Sequence, residues 1–510
     1  KKRKKGVQDG ESIVMMTDKS GKLAVADVES YLDMGKVHTS KDKEVGEAEV
    51  KKTQKLYNGH VSMWLKFLNM GADWEHEGRM RESCLQQSCV VPAMYILLKD
   101  HKARVEGQLP ATRPVVSGCS GMGLSLSNIV SDVLENIANS KSDPLEVISS
   151  EDLRSRVVRH NAEVSLTDTD TETVLIGGDV VALFPSLPAA ASGRLVRQAV
   201  IKIVKQSKID IRGLDYSELA IYVRMNLTDG EIEVRNLDKI IPKRAHKKGS
   251  MPGMTGAQAL KKRKVEDINK EEEAKFIHPQ REPTEEERLL LFATACEIAV
   301  KFLFSNHLYQ FGGQTFLQSD GGPIGMRLTM CVARIVMGEW GDEVKKILGA
   351  NNIRTYLEGL YVDDLRWILS SLPRGWRWNQ EEKRFCFRED WREEDEKEGL
   401  SSAQRMAREI NKVMNSVYPF LKFTVETEED FSNLRIPTLD MELFMEDVEG
   451  QRRQKINFSF YEKPMKTPFC VMKDSAMSEK SKISILSNDL IRRMLSCSET
   501  IPDTERNGII

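Results

Sequence analysis

The sequence predicts an α+β protein whose strands pair mainly antiparallel, and three stretches carry that prediction. LYVDDLRWIL, residues 360–369, reads as strand, tight turn and strand from its alternation and β-branched content. ETVLIGGDVVALFPSLP is an apolar strand that carries one acid, Asp179, and is stopped by Pro185, which cannot donate to a sheet ladder. ERLLLFATACEIAVKFLF has helical periodicity, and QSDGGPIGMRLTMCVARIVMGEWGDEVKKIL opens as a Gly-Pro turn and runs into a long helix.

Composition narrows the class. At 510 residues the chain is long enough for two to four domains or one large multi-lobed enzyme. It is 40% hydrophobic and 30% charged, and no apolar run approaches the ~18 residues of a membrane span. The expectation is a chain with no membrane partner and no export signal. The eight cysteines are scattered without a CxxC pair, which favours reduced thiols over a structural zinc site. Lys1 stands where a complete chain would have Met, as in a fragment or a processed chain. The net charge of −2 conceals segregation: KKRKK at 1–5, KIIPKRAHKK at 239–248 and KKRKV at 261–265 are basic, whereas 381–399 is densely acidic. Each reads first as a solvated surface. KKRKV followed by Glu-Asp is also the kind of peptide that nuclear import receptors read, so a nuclear location is expected.

Taken in order, residues 1–90 read as a mainly helical region, with Leu56, Val61, Leu65 and Leu68 near one face of KLYNGHVSMWLKFLNMG. Residues 91–178 begin with two short β-rich runs, VPAMYILLKDHK and ATRPVVSG, which form a hairpin-containing lobe with Lys102 and Arg113 near its loop. SLSNIVSDVLENIANS follows as a helix, with Ser125 or Ser127 as cap and Ile129, Val133 and Ile137 as its apolar stripe. Residues 179–460 hold the acid-bearing strands and a polar, Lys/Glu-rich insertion near 226–290, which reads as a loop or linker. Residues 461–510 end in the helical stretch IRRMLSC.

The chemistry starts from the paired acids. Asp is a common turn residue, so Asp363 and Asp364 alone indicate only a hairpin tip. Adjacent like charges repel, however, and hard carboxylate oxygens around divalent metal ions are a common solution. That solution asks for a third strand-end acid, and Asp179 supplies it. A buried acid in a strand is costly unless it is paired or metal-bound.

The order of these pieces resembles the palm of the reverse transcriptases: DVVALF is similar to their motif A, QSDGGPIGMRLT to motif B, YVDD to motif C and LKFTVETEEDF to motif D. KDHK ahead of RPVVSG, DVVALFPSLP, FTVE followed by IPTLDMEL, YEKPMKT and the upstream TDKSGKLAVADVESY are together most similar to the Penelope-like retroelement reverse transcriptases, relatives of telomerase. The likeness covers nearly the whole chain and is weakest over 190–300.

The resemblance implies a right-hand polymerase: fingers at 91–178, palm at 179–460 and a partial thumb from 461 that Tyr461, Lys463 and Pro464 would enter. It implies an RNA template, a DNA primer, dNTPs and two Mg²⁺ ions, with Mn²⁺ as a substitute. Asp179 and Asp363 would bridge the metals, Asp364 would support them and the Val180 carbonyl would complete one shell. Arg113, with Lys102 and Lys99 as further candidates, would clamp the triphosphate. Phe184 would be the aromatic gate against a 2′-hydroxyl, although ordinary core packing would equally explain it. Gln318, Gly322, Pro323 and Gly325 would line the templating base pair, and Lys422 would be a general acid for pyrophosphate. Met326 and Arg327 stand where the family has a small residue and a proline, which leaves fine template positioning open.

Two other classes compete: a domesticated, catalytically silent relative that only binds RNA, and an RNA-dependent RNA polymerase. Intact Asp179, Asp363 and Asp364 speak against the first, and Phe184 against the second. Many family members carry a C-terminal GIY-YIG endonuclease, and nothing after residue 465 supplies its motif. Absence by nature and truncation both remain open.

Overall fold

The computed structural model describes residues 12–18, 22–69, 84–85, 90–100, 105, 107–118, 121–141, 145–166, 172–227, 283–323, 325–447, 454–461 and 477–498. The basic clusters, Lys102, Lys463, Pro464 and most of the 226–290 insertion lie outside these residues.

The N-terminal part is not purely helical. A hairpin of β1 (Ser12–Met16) and β2 (Leu23–Asp27) precedes α1 (Val28–Thr39), and the two-residue β3 (Lys43–Glu44) precedes α2 (Glu47–Phe67). On α2 the buried stripe contains Val50, Tyr57, Val61, Trp64 and Leu65, whereas Leu56 is 44% exposed. Apolar spacing admits Leu56 to that face, but Tyr57 and Trp64 fill it.

The next lobe is a hairpin, β4 (Met94–Leu98) against β5 (Thr112–Val116), followed by α3 (Leu124–Asn139) and α4 (Ser150–Leu166). Neither Ser125 nor Ser127 caps α3. The cap position belongs to Gly123 at φ +87°, a conformation glycine adopts at little cost, and Ser127 is buried inside the helix. The stripe of α3 is centred on Leu126, Val130, Leu134 and Ile137, with Ile129 and Val133 at its partly buried flank.

The central sheet is built from β6 (Thr173–Val180), β9 (Thr355–Tyr361), β10 (Asp364–Ser370) and β13 (Phe423–Glu426) in the order β13-β6-β10-β9, every neighbouring pair antiparallel. Between β6 and β9 lie α5 (Ala189–Ser207), α6 (Tyr216–Asn226), α7 (Glu285–Ser305), the hairpin β7 (Leu308–Phe311) and β8 (Gln314–Leu317), and α8 (Arg327–Ala350). A small hairpin, β11 (Trp376–Asn379) and β12 (Arg384–Phe387), and helices α9 (Glu389–Glu398) and α10 (Ser402–Val417) separate β10 from β13.

One face of the sheet rests on helices. Trp340 of α8 stacks on Trp367 of β10 at 5.9 Å and on Phe423 of β13 at 4.2 Å, and its indole N–H donates to the Met414 carbonyl at 3.1 Å. Helix α7 is apolar nearly all round, as befits a helix enclosed by protein. Its buried Glu297 is paired with Lys301 and Arg197. The other face carries Leu175 and Ile368 against a second sheet of β14 (Ile436–Thr438), β15 (Met441–Glu446) and β16 (Lys455–Phe460). Helix α11 (Glu479–Leu495) attaches to this sheet through Arg492, which pairs with Asp440 at 3.0 Å. None of the described helices is long and apolar enough to cross a membrane.

Two local features make predictions. Gly325, at φ +93°, lies in the turn before α8, where an added Cβ would sit 1.9 Å from the Val116 carbonyl oxygen of β5. That neighbour is backbone and cannot swing aside. Gly325→Ala is expected to lift this turn off the hairpin lobe and to cost about 2 kcal/mol or more, read as a lower unfolding midpoint and faster proteolysis near the turn. Burial pushes the carboxyl of Glu428 up to about 7, with Glu429 adding to the shift and the Met445 N–H opposing it. A carboxyl raised on folding favours the folded state most below its ordinary value, and stability is lost as pH rises through 4.5 to 7. Glu428→Gln should therefore raise the melting temperature at pH 8 and leave it nearly unchanged at pH 4.5.

Candidate active site

The sheet register brings the sequence-predicted acids together. Leu365 of β10 lies opposite Gly178 of β6, and continuing that register sets Asp364 beside Asp179. Asp364 also pairs with Tyr361 across a two-residue turn formed by Val362 and Asp363. Asp179 is the one exposed residue of an otherwise buried strand. This corrects the expectation of a buried acid: the strand is buried, but it delivers this side chain to an open rim.

The turn is strained. Val362 has φ +60°, a conformation where glycine is usual and a β-branched residue is an outlier costing on the order of 1–3 kcal/mol. Asp363 is half-buried, and its carboxyl is held above the usual range first by burial, then by the charges of Asp364 and Asp179. A hydrogen bond from its own backbone and the charge of Arg113 oppose that rise. Arg113 therefore shares an electrostatic environment with the acids although it belongs to β5. Its guanidinium also pairs with Asp18 at 3.2 Å, a residue of the TDKSG stretch to which the sequence reading gave no role.

The turn between β8 and α8 closes the site from another side. The Gly322 N–H donates to the Phe184 carbonyl at 2.8 Å, and Gly321 packs against the Pro185 backbone. Phe184 starts a short 3-10 turn, Phe184–Ser186, just beyond β6, and its ring is partly buried against the core. Gln318 is occupied internally: its side-chain amide donates to the carbonyls of Asp320 at 2.7 Å, Gly321 at 3.1 Å and Gly322 at 3.4 Å, and its oxygen bonds His307. Burial pushes His307 down to about 4, which keeps that ring neutral. The Pro323 carbonyl accepts from the Thr329 hydroxyl at the start of α8.

Arg327 does not enter the site. It pairs with Asp132, at 2.5 Å, and Glu135 of α3, and Met326 beside it is buried. Its substitution for proline is thus accounted for by a clasp between two helices. Lys422 is exposed, and what it contributes to the structure is its carbonyl, which accepts from the Val181 N–H at 2.8 Å. The Val180 side chain is buried in the core, so any part it has in the site belongs to its backbone. Lys99 continues the hairpin lobe, its N–H donating to the Ala111 carbonyl.

Two residues that motif reading missed lie directly behind the acids. Arg366 is 4% exposed and sits two residues after Asp364, hence on the same face of β10. Glu426 of β13 lies opposite Gly177 of β6 and pairs with Arg366 at 3.4 Å. The signal available in sequence was period two: Asp364 with Arg366, and Asp179 with Gly177.

Carboxylate oxygens are the right donors for hard divalent cations, and their mutual repulsion is what a cation would relieve. Among the described residues no group of three or more His, Cys, Asp or Glu side chains is already closed into a metal-holding set. What fits a divalent cation is the chemistry of the donors, hard oxygens carried on neighbouring strand ends.

No family model matches the chain, and no curated protein matches it. Among solved structures it is similar to a telomerase from Candida albicans in complex with the TWJ fragment of telomeric RNA, with 7% identity and a TM-score of 0.41. That alignment covers 94% of this chain and 57% of the telomerase chain.

Proposed function

We propose that this chain is an RNA-directed DNA polymerase that transfers nucleotides from dNTPs to a primer 3′-hydroxyl on an RNA template. The observation that carries the reading is the register of β6 against β10, which sets Asp179 beside the Asp363-Asp364 turn at one open rim of the sheet. The motif resemblance to Penelope-like retroelement reverse transcriptases adds to it, and the nuclear expectation from KKRKV accords with it.

In this reading Asp179 and Asp363, supported by Asp364 and the Val180 carbonyl, would hold two Mg²⁺ ions, which would supply Lewis-acid stabilisation of developing oxygen charge. Arg113, held at 3.2 Å by Asp18, would offer a planar fork for triphosphate oxygens. Phe184, five residues after Asp179, would serve as the gate against a ribose 2′-hydroxyl. The Gly321–Gly322 turn, shaped from within by Gln318, lets backbone approach a nucleobase. Lys422, exposed at the start of β13, stands as the proton donor to the leaving group.

A catalytically silent, RNA-binding relative is the second reading, favoured by the lack of a closed metal-holding set among the described residues. Primer extension on poly-rA/oligo-dT with Mg²⁺ and dTTP separates the two. The wild type should extend, and Asp363→Ala should lose about a hundredfold or more. Failure of both proteins to extend, with duplex binding retained, would select the silent reading. In the active enzyme, Phe184→Ala should lower discrimination between dNTP and rNTP by about tenfold, measured as a ratio of kcat/KM values. An unchanged ratio would return Phe184 to core packing alone.

A further inference from the structure

The buried pair behind the acids has no part in the roles assigned so far. Arg366 is surrounded by acceptors: Nε donates to the Thr438 hydroxyl at 2.6 Å, one terminal nitrogen to the carbonyls of Leu365 at 2.5 Å and Gly178 at 3.4 Å, and the other to the Pro437 carbonyl at 2.5 Å. Most of these partners are neutral backbone groups. Among the described residues the carboxylate paired with it is Glu426, which stands at 3.4 Å and is itself partly exposed.

A buried cation with a single loose partner is expensive unless further negative charge lies near it. That charge comes from the rim, where Asp364 on the same face of β10 and Asp179 across the sheet lie one row away. The geometry explains how. Asp364 and Arg366 on β10, Asp179 and Gly177 on β6, and Thr424 and Glu426 on β13 form two adjacent cross-strand rows on one face. The first row carries acids, the second the ion pair. Gly177 leaves the space, because a Cβ there would meet Glu426 at 2.7–2.8 Å.

We propose that Arg366 and Glu426 form a built-in charge pair that sets the affinity of the Asp179, Asp363 and Asp364 cluster for divalent cations. Arg366 is the resident counter-charge that holds the carboxylates together before a metal arrives, and it opposes the metal's charge when one binds. Glu426 partly cancels Arg366 and so restores affinity. Both are positioning residues: neither touches the reacting atoms. The proposal rests on reading the acid cluster as a metal site.

The two charges should act with opposite signs, a pattern that mere loss of structure cannot produce. Titration of the full chain with Mn²⁺, with free ion read by electron paramagnetic resonance, measures the effect without catalysis. Glu426→Gln is expected to weaken binding about threefold or more, and Arg366→Met to tighten it by a similar factor, with Arg366→Lys close to the wild type. Glu426→Gln is conservative in shape, so it keeps the test decisive if Arg366→Met fails to fold. Wild-type binding that Asp363→Ala abolishes, together with unchanged affinity in Glu426→Gln or weakening in both charge variants, would overturn this proposal and leave the metal site standing. Absence of Mn²⁺ binding by the wild type would overturn both.

Discussion

Carboxylates repel one another, and nothing in Asp179, Asp363 and Asp364 themselves draws them together. The pairing of β6 with β10 on one side and β13 on the other does so. What fixes that pairing is burial. Side chains alternate along a strand, so a slip of one residue would exchange the two faces of the sheet. Such a slip would drive Asp179 toward the Trp340, Trp367 and Phe423 stack and bring Gly178 or the buried Val180 to the open rim. The aromatic core therefore specifies the position of the acids from the opposite face of the sheet.

The turn before α8 and the hairpin lobe are tied to this sheet by backbone. Gly322 meets Phe184, Gly325 meets Val116 and Gly118, and Arg113 on the same hairpin is anchored by Asp18. Arg113 on one lobe and the acids on another can share one electrostatic environment only if the distance between them is held, and close backbone contacts hold distance better than side chains do. The position after the turn shows the same economy. Arg327, foreign to the motif, is used to fasten α8 to α3.

The parts of this arrangement that were legible in the sequence are those written in local pattern. The acid-bearing strand, the YVDD hairpin and the long helix after the Gly-Pro turn each announce themselves through period and punctuation. Boundaries set by backbone conformation were less legible: Gly123 caps α3 by its left-handed φ while two nearby serines do not. Leu56 fits the helical spacing of α2 but lost the core to larger neighbours. Asp179 was expected inside because its strand is, yet a strand end can deliver one side chain outward. Arg366 and Glu426 were hidden for a different reason: a lone charge in a strand reads as one that reaches solvent. Only the register with Gly177 and the arrival of Pro437 and Thr438 from a distant hairpin show that Arg366 is enclosed.

Three costs coincide at the rim of the sheet. Val362 holds a positive φ that a branched side chain resists, Asp363 is half-buried among like charges, and Arg366 is a cation withdrawn from water. The first two could be removed by single substitutions, glycine at 362 and asparagine at 363, and the third by a paired change at 366 and 426. Strain and buried charge persist where a surrounding structure over-determines them, and they gather at working sites because stability and activity pull against each other there. A chain that only bound RNA through its surface would gain stability by losing all three. Their presence together, two in the turn and the third three residues further along β10, supports the proposed polymerase over its silent relative.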